Sequence, residues 1–322
     1  MDKFATKIRQ IVRNWMLLLG MAAGTLLYFT YHWTPFLHPA GPFLLSFVQH
    51  LQPVLIFLML FLTFCRIEPR ELKPQKWQLW LLLIQSAAFA GLALLLLLNP
   101  EIPHRAAIES AMICLVCPTA TACAVVTGKL GGDIAGILTY TIMINLTTAV
   151  LVPLFVPLLH PAAGVTFVNA FLKILGKVFP MLILPCLAAW FVRYLLPGLH
   201  RILMGNPDIP FYLFAVSLTL AITVAVRTIV SNENQGVELL LIAFATLLTC
   251  IFQFWAGKAI GSRHSRRITA GQALGQKNTV FAMWLGYTFM DPLSSVAGGI
   301  YSIWHNLFNT WQLERVAKKR SI

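Results

Sequence analysis

Charge is what this sequence has least of. Asp, Glu, Lys and Arg make up 11% of its 322 residues, and only 11 residues are acidic. Ordinary soluble domains carry about 25% charged residues, so the shortage argues strongly against a water-soluble enzyme. Catalytic motifs are missing as well. There is no H-x-x-x-H pair, no Gly-rich phosphate loop and no paired-carboxylate constellation, which leaves hydrolytic and nucleotide-driven chemistry without candidate residues. The six cysteines (Cys65, Cys114, Cys117, Cys123, Cys186, Cys250) lie inside apolar stretches rather than polar loops, so they form no disulfide framework of a secreted domain. Cys114 and Cys117 have C-x-x-C spacing, yet neither a second pair nor a nearby histidine accompanies them to support zinc or redox chemistry. The basic stretch at 1–13 leads into an apolar run without a small-residue cleavage site, unlike a cleaved signal.

What is present is apolar: 58% of residues are hydrophobic and the mean hydropathy is +0.76. A membrane helix needs about 20 mostly apolar residues. The pattern predicts ten spans, at about 14–31, 41–65, 77–98, 105–129, 134–159, 178–196, 209–230, 236–261, 266–289 and 292–313, with an amphipathic lead-in at 165–177. No soluble domain is left over. The expected fold class is an all-α membrane protein with the lipid bilayer as its surroundings.

Lys and Arg outnumber Asp and Glu by 24 to 11, a net charge of +13. With ten crossings and an inside N-terminus, inside segments hold Lys3, Lys7, Arg9, Arg13, Arg66, Arg70, Lys73, Lys76, Lys129, Arg193, Arg201, Lys258, Arg263, Arg266, Arg267, Arg315, Lys318, Lys319 and Arg320. That is 19 of the 24; Arg105, Lys173, Lys177, Arg227 and Lys277 are the exceptions. Cytoplasmic loops are enriched in Lys and Arg, so the bias predicts cytoplasmic N- and C-termini and assigns the excess charge to topology, not to nucleic acid. The expected location is a bacterial cytoplasmic membrane, crossed many times.

Two spans are interrupted. The fourth carries Pro118 within Thr119-Ala120-Thr121-Ala122, and the ninth carries Gly275-Gln276-Lys277-Asn278. Broken helices survive in a membrane only where they line a cavity or are packed in protein. The breaks hold corresponding places in two sets of five spans, 1–160 and 161–322. Five is odd, so a duplicated half would enter the membrane inverted, and paired interruptions in such halves point to a transporter site near the midplane. A simple proline kink would explain the fourth span but not Gln-Lys-Asn in the ninth.

Lys277 lies far from either end of its span, and a charged side chain there costs about 2.5–3.5 kcal/mol on insertion scales. Three functional roles are open: attracting an anionic substrate, substituting for a bound cation, or carrying a transported proton. A structural lysine bonded to helix-end carbonyls is the plain alternative. Among weaker signals, Gln85, Asn145 and Asn306 could join helices through hydrogen bonds. His305 reads as an interior histidine rather than a metal ligand.

The run Gly299-Ile-Tyr-Ser-Ile-Trp304-His305-Asn306, with Gly275-x-x-Asn278 and Pro118-x-x-Thr121-Ala122, resembles the bile acid:sodium symporter family. The resemblance implies two inverted five-helix repeats, a panel domain and a core domain, with the broken helices crossing in the core and substrate bound between domains. It also implies sodium-driven uptake of bile acids or smaller carboxylates, but the family's sodium ligands are largely gone. Its adjacent Ser-Asn falls at Cys123 and Ala124, its fifth-span Ser and Thr at Ile137 and Thr141, its ninth-span Glu at Ala273 and the following Gln at Lys277. Gln85 and Thr141 are the remaining oxygen ligands. A hard cation is poorly served by sulfur and methyl groups, so Lys277 is expected to replace bound sodium, with transport sodium-independent or proton-coupled.

The expected function is thus secondary transport of an organic anion by alternating access, with no enzymatic activity, cofactor or resident metal and with sodium binding doubtful. Thr119, Thr121, Cys123, Gln276, Lys277 and Asn278 are the substrate or coupling candidates; Gln85 and Thr141 are residual cation-site positions. Alternatives are a sodium-coupled symporter of the same substrates, arsenite efflux through Cys117 or Cys123, and a non-transporting sensor or scaffold.

Overall fold

The structure is a computed structural model and describes residues 19–161, 163–205, 209–231 and 236–320, excepting the side chains of Glu71, Phe211, Ala317, Lys319 and Arg320. Every regular element among them is helical. In chain order these are α1 (19–32), α2 (Gly41–Phe64), α3 (Lys76–Leu98), α4 (Arg105–Val116), α5 (Cys123–Lys129), α6 (Ile134–Leu159), α7 (Phe167–Leu182), α8 (Leu184–Leu195) and α9 (Pro197–Met204). They continue with α10 (Ile209–Val230), α11 (Gly236–Ser262), α12 (Arg267–Gly275), α13 (Thr279–Phe289) and α14 (Val296–Arg320). The expected first span begins at 14, so its first residues lie outside the described ones.

Six helical segments are long and apolar enough to cross a membrane: Pro35–Phe64, Lys76–Leu98, Ile134–Leu159, Phe167–Leu195, Tyr212–Val230 and Gly236–Ser262. The chain is therefore a multi-pass integral membrane protein. The fourth and ninth expected spans are each split, into α4 with α5 and α12 with α13. The expected lead-in at 165–177 is not a separate element. It belongs to α7, which continues into α8 with only Ile183 between them, so the expected sixth span corresponds to an apolar segment that begins at Phe167. Pro185 near the start of α8 has no N–H to give the preceding turn, and the two helices part only at Ile183.

The helices sort into two packing groups. In one, α2 packs on α7, α8 and α10, and α10 meets α1 where Thr223 Oγ1 donates to the Gly24 carbonyl (3.1 Å). In the other, α11 lies along α12, α4 and α14, while α3 lies on α4 and α6. At Gly257 a Cβ would fall 2.5 Å from the Ala270 carbonyl oxygen, so α11 and α12 approach too closely there for any side chain. The groups meet where α6 packs on α7 and where α10 packs on α13 and α14.

Loop contacts divide the helix ends into two faces. On one, Arg193 pairs with Glu68 (2.7 Å), and Asp133 lies 3.5 Å from Arg266. The turn before Asp133 depends on Gly131, whose φ of 82° is left-handed. On the other face Arg105 and His160 converge on Glu109, and His104 pairs with Glu238 (2.7 Å).

Candidate functional site

The two breaks cross. Thr119 and Lys277 form an isolated antiparallel bridge, in which the Ala120 N–H donates to the Gln276 carbonyl (2.9 Å) and the Asn278 N–H to the Pro118 carbonyl (2.8 Å). Two extended segments, neither able to pair within its own helix, thus satisfy each other.

Each break also leaves a helix C-terminus with carbonyls that lack intrahelical partners. On α4 the last intrahelical bond runs from the Cys117 N–H to the Ile113 carbonyl (3.1 Å), so the next four carbonyls need outside donors. Gln253 Nε2 of α11 reaches Cys114 (3.3 Å), Lys277 Nζ reaches Leu115 (3.4 Å), Thr148 Oγ1 of α6 reaches Val116 (2.8 Å), and Gln85 Nε2 of α3 reaches Cys117 (3.3 Å). On α12 the last intrahelical bond runs from the Gln276 N–H to the Gln272 carbonyl (3.0 Å), to which Cys123 Sγ adds a second (3.4 Å). Beyond it Thr119 Oγ1 donates to Ala273 (2.9 Å) and the Tyr301 hydroxyl of α14 to Gly275 (2.8 Å). Side chains from several helices therefore lock the crossing together. Asn278 caps the start of α13, its side chain accepting from the Phe281 N–H (3.1 Å).

The structure brings most of the expected site residues to this crossing. Thr119, Cys123, Gln276, Lys277 and Asn278 are buried there, Lys277 at 1% exposure, and Thr121 is half-buried at the open edge of the fourth-span break. The amino group of Lys277 meets a helix-end carbonyl, the contact expected of the structural alternative. It is also the negative end of a helix dipole, where a bound cation would be stabilised. The two readings thus describe one position.

Gln85 and Thr141, the residual cation-site positions, have their donors in use. Gln85 bonds the Cys117 carbonyl and accepts from the Tyr140 hydroxyl (3.0 Å), while Thr141 Oγ1 donates to Ile137 of its own helix (2.9 Å). Ala273 on α12 and Lys277 at the ninth-span break add no side-chain oxygen to these two, a poor ligand set for a hard cation. Among the described residues, no group of three or more His, Cys, Asp or Glu is positioned to hold a metal. All six cysteines are unpaired and buried, Cys117 and Cys123 included.

The signature residues of the last span divide. His305 is buried and turns its ring edge-on to Tyr301 (5.6 Å between centroids), whereas Trp304 is half-buried. Asn306 bonds the Ser302 carbonyl of its own helix (2.7 Å) and not a neighbouring one. Asn145 does join two helices, donating to the Leu182 carbonyl (3.3 Å). Sequence reasoning missed Thr148, Gln253, Gln272 and Tyr301. Their only signal is a polar group within an apolar helix, which most membrane helices carry somewhere.

Two clefts lie away from the crossing. One of about 480 Å³ is lined by His104, Arg105, Glu238 and Asp291, and one of about 400 Å³ by Gly132, Asp133, Arg266 and Thr269. Neither models of known protein families nor curated proteins match the chain.

Proposed function

We propose that the protein is a secondary transporter of an organic anion, a divergent relative of the bile acid:sodium symporters, in which Lys277 stands in for the coupling cation. The observation that carries this reading is the bridged crossing of two broken helices with a lysine amino group at the C-terminal end of one of them. In this reading the chain crosses the membrane ten times as two inverted repeats, with both termini cytoplasmic. The α1, α2, α7, α8 and α10 group serves as panel, and the group around the crossing as core. Rocking of one group against the other exposes the edge at Thr121 to each side in turn. The starts of α5 and α13 add positive potential for a carboxylate. A proton on Lys277 takes the place of sodium as the charge that accompanies the substrate.

The test is thermal unfolding of purified protein with cholate, benzoate or pyruvate, each in sodium chloride and in choline chloride. A ligand that binds only the folded state raises the midpoint with its concentration. The expected result is stabilisation by one of these anions, equal in both salts. Stabilisation by sodium alone, or by the anion only in sodium, overturns the assignment of Lys277.

A further inference from the structure

One face of α14 is polar along its buried length. Tyr301, Ser302, His305, Asn309 and Gln312 recur at helical spacing and are 0%, 1%, 4%, 4% and 8% exposed. Gln253 of α11 and Gln272 of α12 face them: Gln253 Nε2 donates to the Tyr301 hydroxyl (2.9 Å) and Gln272 Nε2 to Asn309 Oδ1 (3.0 Å). These bonds leave the row incompletely satisfied. Gln253 Oε1, Gln272 Oε1, His305 Nδ1, Asn309 Nδ2 and Gln312 Nε2 are buried without a hydrogen-bond partner from the protein.

A buried polar atom without a partner costs about 1–3 kcal/mol, so five in one row would consume a large share of the ~5–15 kcal/mol that keeps a domain folded. The orphans are two acceptors, two amide donors and an imidazole nitrogen that can act as either. That mixture suits water, which typically makes two to four bonds in such places. At one end of the row, Gln312 lies one turn from exposed Arg315. At the other, Tyr301 and Gln253 reach the carbonyls of Gly275 and Cys114, and Cys114 precedes the residue whose carbonyl takes Lys277. The titratable side chains nearest the row are Tyr301, His305, Cys114, Cys117 and Cys250, with Lys258, Arg267, Glu314 and Arg315 toward its open end.

We infer that a file of bound water runs along α14 from Gln312 to Tyr301 and connects Lys277 to the basic face of the protein. The inference deepens the proposed role of Lys277 and rests on it. A proton entering at Gln312 passes along the file as each water gives up one O–H bond and gains another. At the Tyr301 end one last water, hydrogen-bonded to the Lys277 amine, breaks an O–H bond to give the amine the proton as it takes one from the water behind it. The waters are thus left unchanged in number and composition.

The experiment is radiolytic hydroxyl-radical footprinting of the full chain in detergent, read by mass spectrometry, because radicals form on bound water. Corrected for intrinsic reactivity, Tyr301 and His305 should oxidise several-fold faster than Phe281 and Trp284, which are 0% and 1% exposed and belong to a different apolar cluster from Tyr301. Equal rates overturn the file. Asn309→Leu should bring Tyr301 down to the rate of Trp284; an unchanged rate also overturns it. Gln312→Leu, nearer the surface, gives the same reading if Asn309→Leu does not fold. A dry row leaves the salt-independent stabilisation by an anion untouched, so this inference and the proposed function fail by different results.

Discussion

Lys277 brings two opposing energies to its position. Replacing it by methionine strands the Leu115 carbonyl, which costs about 1–3 kcal/mol, but removes a buried amine whose insertion costs about 2.5–3.5 kcal/mol. The terms nearly cancel. Lys277→Met should therefore unfold within a few degrees of the parent protein by scanning fluorimetry while losing its response to the stabilising anion. A large drop in midpoint would make the lysine purely structural. Arg105 presents the opposite case. It holds the fully buried carboxylate of Glu109 (2.8 Å), which His160 also approaches (3.1 Å). Arg105→Ala breaks that pair, and because Arg105 is itself 28% exposed the loss should fall toward the lower end of the ~3–5 kcal/mol typical of buried pairs. The stability difference between Arg105→Ala and Arg105→Lys would measure how much depends on charge alone. Lys277 was legible in the sequence because a charge within an apolar run is conspicuous, whereas Arg105 stood out only as a basic residue off the inside face. The partner of Lys277 was not, since it is a backbone carbonyl; of the partners around Arg105, Glu109 is only four residues on, while His160 lies far along the chain.

The half-helices depend on their neighbours more than full helices do. An intact membrane helix satisfies its own backbone, whereas α4 ends mid-protein with four carbonyls that borrow donors from α3, α6, α11 and the opposite break. Thr148→Val keeps side-chain shape while removing the donor to Val116, and should cost about 1–3 kcal/mol in thermal or denaturant unfolding. No measurable loss would mean that the crossing satisfies itself in some other way. The breaks themselves could be read from Pro118 and from Gly275 to Asn278, because proline, glycine and polar residues are out of place in a lipid-facing helix. Their mutual pairing could not, because hydropathy ranks residues without recording which backbone groups face each other. The continuity of α7 into α8 was hidden for a related reason. Lys173 and Lys177 lower the local hydropathy, yet Lys177 lies over the Phe289 ring (5.5 Å) rather than marking the end of an apolar segment.

At the scale of the molecule, the few charges report orientation. Contacts on one face join the loops around Glu68, Arg193, Asp133 and Arg266, and contacts on the other join those around Arg105, His160, Glu238 and Asp291. Six segments are long and apolar enough to cross, and α14, whose buried face is polar, is not among them, so the count of ten rests on the sequence pattern. The Lys and Arg excess of the first face leads us to expect that it is the cytoplasmic one. Green fluorescent protein fused after Ile322 should then fluoresce in cells, while alkaline phosphatase at the same point stays inactive. Phosphatase inserted in the turn between Asn99 and His104 should be active, because that turn ends on the opposite face. An odd number of crossings between the two points would give this contrast, and an even number would give equal signals. Active phosphatase at the C-terminus would reverse the orientation. It would place the waters near Gln312 outside the cell and reverse the side from which Lys277 draws its proton.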